Sequence, residues 1–144
     1  MTIDTAFLDR CIHTLDTAFA RLDEQTPPAE GGGISREIVR AACVKEFELV
    51  LEQCGSLLRK RLRPYFASNQ QPDRLTFKDL FRHAAKHGLI SVEDCERWLA
   101  YREHRNETAH QYGADFAEAT LALLPAFIAD ARALARTIAE APDD

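Results

Sequence analysis

The sequence VKEFELVLEQCGSLL, residues 44–58, decides the fold of this chain. Its apolar residues recur at steps of three and four positions, at Val44, Phe47, Leu51, Cys54 and Leu58. This spacing places one apolar face on an α-helix. Val50 and Leu57 widen the face, so the helix is expected to pack against two neighbours. We predict that it runs from about Ser35 to Arg63 and ends at Pro64, because proline cannot continue the hydrogen-bond ladder of a helix.

Four further helices are predicted, and no segment has the alternating, β-branched pattern of a strand. They extend from about Ile3 to Glu24, from the capping residue Thr76 to Gly88, from Val92 to Gln111, and from Asp115 to Glu140. Three begin at capping-box pairs, namely Thr76 with Asp79, Ser91 with Asp94, and Asp115 with Glu118. Residues 25–33 and 67–74 contain helix breakers and are expected to be loops, and Pro125 predicts a kink or a break in the last helix. The chain is therefore expected to be a single all-α domain, residues 1–144, built as an antiparallel bundle of about five helices.

The composition indicates a globular domain that needs no cofactor to fold. Apolar residues make up 46% and charged residues 28% of the 144 residues, which excludes a disordered chain. The apolar runs are too short for a membrane span, and no signal peptide is visible at the N-terminus. The four cysteines are far apart and form no metal-binding pair. We expect buried free thiols, no metal and a cytoplasmic location.

The charges are unevenly distributed along the chain. The formal net charge is −5, but residues 35–105 carry 14 Lys and Arg against 10 Asp and Glu. The densest basic cluster is RKRLR at residues 59–63. Such a cluster is either a solvated helix face or a surface that follows a phosphate backbone, and composition alone leaves both open.

A polar patch occupies the end of the fourth predicted helix. The predicted inward stripe of this helix is Val92, Cys95, Leu99, Arg102, Asn106 and Ala109, which changes from apolar to polar. The change marks either a functional site or a helix end that emerges into solvent. The patch itself is the sequence RNETAHQY, residues 105–112.

The side chains of this patch suit RNA cleavage without a metal. Arg105 has a planar fork that binds phosphate, and His110 titrates near neutrality and can transfer protons. Asn106 can orient either group by hydrogen bonding. On a regular helix Arg105 and His110 are separated by about 140°. They reach one phosphate if the helix end unwinds near Gly113 or if two chains each contribute part of the site. A two-fold homodimer that joins two copies of the helix is the favoured arrangement.

The patch resembles the signature of the HEPN superfamily, and more narrowly of its HepT branch of nucleotidyltransferase substrate-binding proteins. The resemblance rests on the Arg-x-x-x-x-His-x-Tyr spacing of Arg105, His110 and Tyr112. Residues 40–60 are similar to the long second helix of the family, and the segment Phe77 to Leu89 also fits the family. The resemblance therefore covers most of the chain. It implies a helical bundle that dimerises with the motif in the dimer cleft.

The resemblance also implies a function. Many HEPN proteins are metal-independent ribonucleases, and HepT members are toxins paired with a minimal nucleotidyltransferase antitoxin, MntA. In that system the antitoxin adenylylates the motif tyrosine, here Tyr112, which would place bulk and negative charge where RNA must bind. Arg102 and Lys45 are weaker RNA-binding candidates, and His104 is more often a solvated or helix-pairing residue. The alternative is a non-catalytic subunit that binds the nucleotidyltransferase.

Overall fold

A computed structural model describes residues 2–24, 32–68, 70–107 and 114–140. The regular structure within these ranges is helical, with no strand, which confirms the predicted all-α class. The helices are α1 (Ala6–Glu24), α2 (Gly32–Leu62), α3 (Gln70–Arg74), α4 (Phe77–Lys86), α5 (Val92–Glu107) and α6 (Ala114–Ala139), and a 3₁₀ turn (Arg63–Tyr65) follows α2. None of the helices in these ranges combines the length and apolar composition that a membrane crossing requires.

Helix α2 lies at the centre of the bundle and contacts the other five helices. Helices α1 and α6 pack against it and against each other, and the shorter α4 and α5 also pack against it. The predicted stripe is confirmed, since Phe47, Leu51, Cys54 and Leu58 are fully buried. Val50 and Leu57 are buried as well, and the helix has more than the two neighbours predicted from them.

Helix α2 ends at Leu62, within one residue of the predicted end, and the segment after it differs from prediction. Pro64 lies in the first positions of the 3₁₀ turn, where a missing N–H costs no hydrogen bond. The predicted loop at residues 67–74 is wrong, because Gln70–Arg74 is a short helix. Its proline, Pro72, is the third residue, whose N–H has no partner in a helix anyway. Arg59 holds this turn by donating to the carbonyls of Pro72 and, at 3.0 Å, of Leu75.

Two of the predicted capping boxes form as expected. The N–H of Asp79 donates to Thr76 Oγ1 at 3.2 Å and the N–H of Thr76 donates to Asp79 Oδ2 at 3.4 Å. The same reciprocal pair joins Ser91 and Asp94 at 2.9 and 3.3 Å. Gly88, which was expected to close α4, has a φ of +77°, the left-handed conformation that favours glycine.

Helix α6 confirms its predicted bounds to within one residue at each end but not the predicted capping box at Asp115. It begins at Ala114, so Asp115 lies in its first turn, and Glu118 bonds Arg40 of α2 at 3.1 Å. It also continues through Pro125 without a break. Leu124 and Phe127 on either side are fully buried. Their burial stabilises the helix by more than the roughly 3 kcal/mol that an internal proline costs.

All four cysteines are buried free thiols, as predicted. They are Cys11 in α1, Cys43 and Cys54 in α2, and Cys95 in α5. Burial raises the pKa of each of these thiols. They therefore belong to the core, as small apolar side chains.

Gly55 lets α4 approach α2 closely. A Cβ at this position would lie 3.0 Å from Cδ2 of Phe77, tighter than ordinary van der Waals contact. We expect Gly55→Val to lower the free energy of unfolding by about 1–3 kcal/mol, because overpacking displaces the Phe77 ring. Urea denaturation followed by circular dichroism measures this. Ser56→Val, at an exposed neighbouring position of α2, is the control for the helix propensity of valine. Equal losses in the two variants would mean that the close contact does not limit packing.

Candidate functional site

The buried face of α5 is rotated from the predicted one. The buried residues of this helix are Cys95, Trp98 and Tyr101. Val92, which was predicted to face inward, is 64% exposed, and Asn106 is also exposed. The large rings of Trp98 and Tyr101 set the rotation, because they bury more apolar area than Val or Leu. A step of four residues from Tyr101 reaches Arg105, so Arg105 continues the inward face.

Arg105 lies at the boundary between core and solvent, in the last turn of α5. Its side chain is 31% exposed, and Nη2 lies 3.9 Å from Oε1 of Glu52 on α2. Glu52 is 59% exposed, and ion pairs of this kind contribute little to stability. Glu52 is therefore a weak partner that a phosphate group could displace from the guanidinium.

The two weaker cationic candidates, Arg102 and Lys45, lie on the two helices that this ion pair joins. The guanidinium carbon of Arg102 lies 5.1 Å from the ring centroid of Phe77, so this side chain stacks on α4. Arg102 precedes Arg105 by three residues and lies on the same side of α5. Lys45 is exposed on α2, seven residues before Glu52 and hence on the same face of that helix. The described residues thus place Arg102 one turn before Arg105 on α5, and Lys45 on the face of α2 that carries Glu52.

His110 and Tyr112, the other principal candidates, are at residues 108–113 and lie outside the described residues. Asn106 is described, in the last turn of α5, with an exposed side chain. Because it follows Arg105 by one residue, it projects about 100° away from it. The described part of the chain therefore brings Arg105 to the inward face and Asn106 to solvent.

His104 was a weak candidate in the sequence analysis, but in the structure it lies where α5, α2 and α6 meet. Its ring stacks on Phe116 of α6 at 4.5 Å and meets the edge of Phe47 at 5.9 Å. Nε2 lies 2.7 Å from Oγ1 of Thr120, whose hydroxyl donates to the carbonyl of Phe116 at 3.0 Å. Because that hydroxyl proton is already used, His104 Nε2 is the donor in its bond to Thr120. His104 therefore joins α5 to α2 and α6, as a helix-pairing histidine does.

Burial lowers the pKa of His104 below its ordinary 6.5. Below this pH the unfolded chain binds a proton that the folded chain resists, so stability falls as the pH drops. We expect thermal unfolding of the wild type to shift to lower temperature between about pH 7 and pH 5, and His104→Gln to flatten this dependence. Differential scanning fluorimetry across this range tests it. His13→Gln, at an exposed histidine of α1, should keep the wild-type slope, and an unchanged slope in His104→Gln would contradict the assignment.

A charged network fixes α5 against α6, and sequence reasoning gave no indication of it. Arg97 donates to both carboxylate oxygens of Asp130, at 2.8 and 3.0 Å. The Tyr101 hydroxyl donates to Asp130 Oδ2 at 2.6 Å, and burial, together with this bond, raises the pKa of the phenol. The partners are about thirty residues apart in sequence, so helical periodicity could not pair them. The network holds the helix that carries Arg105 in one orientation.

Comparison with known proteins identifies the family of this chain. Residues 10–140 match the family model described as nucleotidyltransferase substrate binding protein like. The chain belongs to this family. Over 121 residues it is 26% identical to a Haemophilus influenzae protein named probable ribonuclease HepT, covering 84% of this chain and 82% of that protein.

Solved structures confirm the fold. A Haemophilus influenzae protein, reported to reveal the fold of a substrate binding domain of a nucleotidyltransferase, superposes with a TM-score of 0.79. It is 24% identical in sequence, and the match covers 94% of this chain and 98% of that one. A Thermus thermophilus protein matches with a TM-score of 0.58 and 23% identity over 83% of this chain and 94% of its own. The HepT-like helical fold predicted from the RNETAHQY motif is thereby confirmed.

Proposed function

We propose that this protein is the toxin of a toxin–antitoxin pair, a metal-independent endoribonuclease that acts in the cytoplasm on RNA such as tRNA or mRNA. The observation that carries the proposal is the position of Arg105. It ends the buried face of α5 with its side chain only 31% exposed, against a weakly held carboxylate. A cation placed in this way binds a phosphate more strongly than one fully in water. The similarity to a probable ribonuclease HepT supports the same conclusion.

The proposed reaction is an attack of the RNA 2′-hydroxyl on the adjacent phosphorus. A bond forms between phosphorus and O2′ while the bond to O5′ breaks, which leaves a 2′,3′-cyclic phosphate and a free 5′-hydroxyl. His110 takes the proton of the 2′-hydroxyl or gives a proton to the leaving O5′. Arg105 binds the phosphate and stabilises the charge that develops on it, and Asn106 orients the reacting groups.

A homodimer completes this site. One imidazole cannot accept and donate a proton in the same step, and Arg105 and His110 of one regular helix diverge by about 140°. Two copies of the motif related by a two-fold axis would supply a base, an acid and two cations. Arg102 and Lys45 would contact flanking phosphates of the strand. Light scattering at micromolar concentration tests the assembly, and a monomer would contradict a shared site.

In this proposal, contacts of the described residues shield Arg105 without RNA and hold α5 in place when RNA binds. Glu52, 3.9 Å from Arg105, shields the cation until a phosphate replaces it. The ion pair of Arg97 with Asp130 keeps α5 from rotating when the phosphate binds. His104 anchors the same end of α5 on α6 through Thr120.

A second candidate function is favoured by the family's own description. A nucleotidyltransferase substrate binding protein would present this surface to its enzyme and cut nothing. Purified protein incubated with tRNA or mRNA in EDTA separates the two functions. Cleavage that depends on His110 supports the ribonuclease. Intact RNA, or cleavage only after a divalent metal is added, would overturn the metal-independent mechanism.

We expect adenylylation of Tyr112 by a minimal MntA-like nucleotidyltransferase to abolish cleavage, because it adds a nucleotide with negative charge beside Arg105 and His110. After treatment with the partner enzyme and ATP, mass spectrometry should locate the adduct on Tyr112. Tyr112→Phe should still cut RNA and should resist neutralisation. Tyr101→Phe is the matched control, since this phenol is buried and bonded to Asp130. An adduct at any other residue would reject the switch.

A further inference from the structure

A cavity lies beside the C-terminal end of α2, away from the motif. Its volume is about 760 Å³, within the range that holds a nucleotide-sized ligand. The wall combines charged and aromatic side chains, which are Asp4, Lys60, Arg63, Phe66 and Asp73.

The carboxylates of this cavity are already engaged. Asp4 Oδ1 accepts from the N–H of Ala6 at 2.9 Å and so caps α1. Asp73 Oδ1 accepts from Arg63 at 3.4 Å. Among the described residues no carboxylate lies within ion-pair distance of Lys60. The cavity therefore offers an uncommitted cation, which suits an anionic ligand.

A continuous strip of rings leads from this cavity to the surface. The ring of Phe66 meets the edge of His83, with 5.0 Å between centroids. His83 is parallel to His87 at 6.3 Å, and His87 stacks on Tyr65 at 4.1 Å. Tyr65 is 41% exposed, unlike most large side chains of this protein. Rings of this kind at a surface can extend their stack to nucleobases.

Arg61 supplies a positive charge next to the strip. It is only 7% exposed, and its guanidinium carbon lies 5.8 Å from the Tyr65 ring centroid. Its Nε is buried, and so is Nδ1 of His83, and neither has a hydrogen-bond partner in the part of the chain that the structure describes. Because both atoms are shielded from solvent, Arg61 acts on an anion through its charge and not through a hydrogen bond from Nε.

We propose that this cavity and its ring strip bind a nucleoside phosphate within single-stranded RNA. Lys60 and Arg61 attract the phosphates, and Phe66 and Tyr65 provide rings for the bases. The site rests on the proposed ribonuclease function, for which it holds the substrate beyond the cleavage point. Lys60 follows Glu52, the contact of Arg105, by eight residues, or about 12 Å along α2.

Fluorescence anisotropy of a labelled 2′-O-methyl oligouridine tests this without cleavage, because the blocked 2′-oxygen cannot attack. We expect Tyr65→Ala to weaken binding about ten-fold through lost stacking, and Tyr65→Phe to bind as the wild type does. Lys60→Ala should weaken binding and reduce the salt slope by about 0.7, as expected when one phosphate contact is lost, and Lys60→Arg should restore both. The charge-matched control is Arg21→Ala, an exposed residue about 22 Å along α1 from its first residue, at the cavity end of the helix.

The results of these binding measurements test the cavity site independently of the proposed cleavage reaction. Unchanged affinity in Tyr65→Ala and Lys60→Ala overturns the site, even if the wild type cuts RNA at the motif. Weaker binding in both supports it, even if no cleavage is found. Labelled ATP is the second probe. If ATP binds in a Lys60-dependent way and the oligonucleotide does not bind, the site holds a free nucleotide, and the proposal for RNA is overturned. Variants that keep RNA affinity but lose binding to the nucleotidyltransferase would show a protein-docking surface and overturn the proposal.

Discussion

Replacing His110 with alanine is expected to lower the rate of RNA cleavage by about 100- to 10,000-fold, the range for loss of a general acid or base. Replacing Arg105 with alanine should lower it by about 100- to 1,000-fold, because the charge that develops on the phosphate loses its stabilising donor. Single-turnover cleavage of a labelled RNA in EDTA measures both losses.

Matched variants keep this experiment specific. His13→Ala removes an exposed histidine of α1 and should cut RNA at the wild-type rate. Arg105→Lys retains the charge but not the planar fork, so we expect partial activity. Glu52→Gln should raise affinity for RNA, since the carboxylate that faces Arg105 at 3.9 Å becomes neutral. Wild-type rates in both alanine variants would place the reaction elsewhere or refute it.

Phe127→Ala is expected to lower the free energy of unfolding by about 3–5 kcal/mol, the largest stability loss that we predict. The ring is fully buried in α6. It contacts Phe47, Trp98 and Tyr101, with centroids 4.7, 5.7 and 5.0 Å away. The single tryptophan of the chain, Trp98, thus reports unfolding by fluorescence in urea.

The corresponding control is Phe7→Ala in α1, which deletes the same ring at a position that is 49% exposed. It should cost much less, since half of that surface already meets solvent. Phe127→Leu keeps most of the buried volume and should fall between the two. A loss below about 1 kcal/mol in Phe127→Ala would mean that the aromatic contacts between α2, α5 and α6 do not hold the core.

Local features of the sequence predicted the parts of the fold that depend on local interactions. The Thr76 and Ser91 capping boxes involve residues three apart, and both form. The apolar stripe of α2 also follows from the period of one helix. The short helix around Pro72 was missed because its stability comes from Arg59, thirteen residues earlier, and not from its own sequence.

Features that depend on contacts between helices were less predictable. The inward face of α5 was placed on Val92 and Asn106, because periodicity weights Val and Leu as heavily as the rings of Trp98 and Tyr101. The structure gives that face to the rings and to Arg105. For the candidate site, the motif predicted Arg105 from sequence alone. The anchoring roles of His104 and Asp130 required knowledge of which helices meet.

The distribution of the cysteines gives this protein a built-in set of reporters of local opening. One thiol is in α1, two are in α2 and one is in α5, and all are shielded in the native state. A thiol reagent can modify each of them only when its helix transiently exposes it, so modification rates rank the opening of individual helices. Cys95 would report the release of α5, the helix that carries Arg105, from the bundle. The deeply buried Cys54 would react only when the central helix itself is exposed.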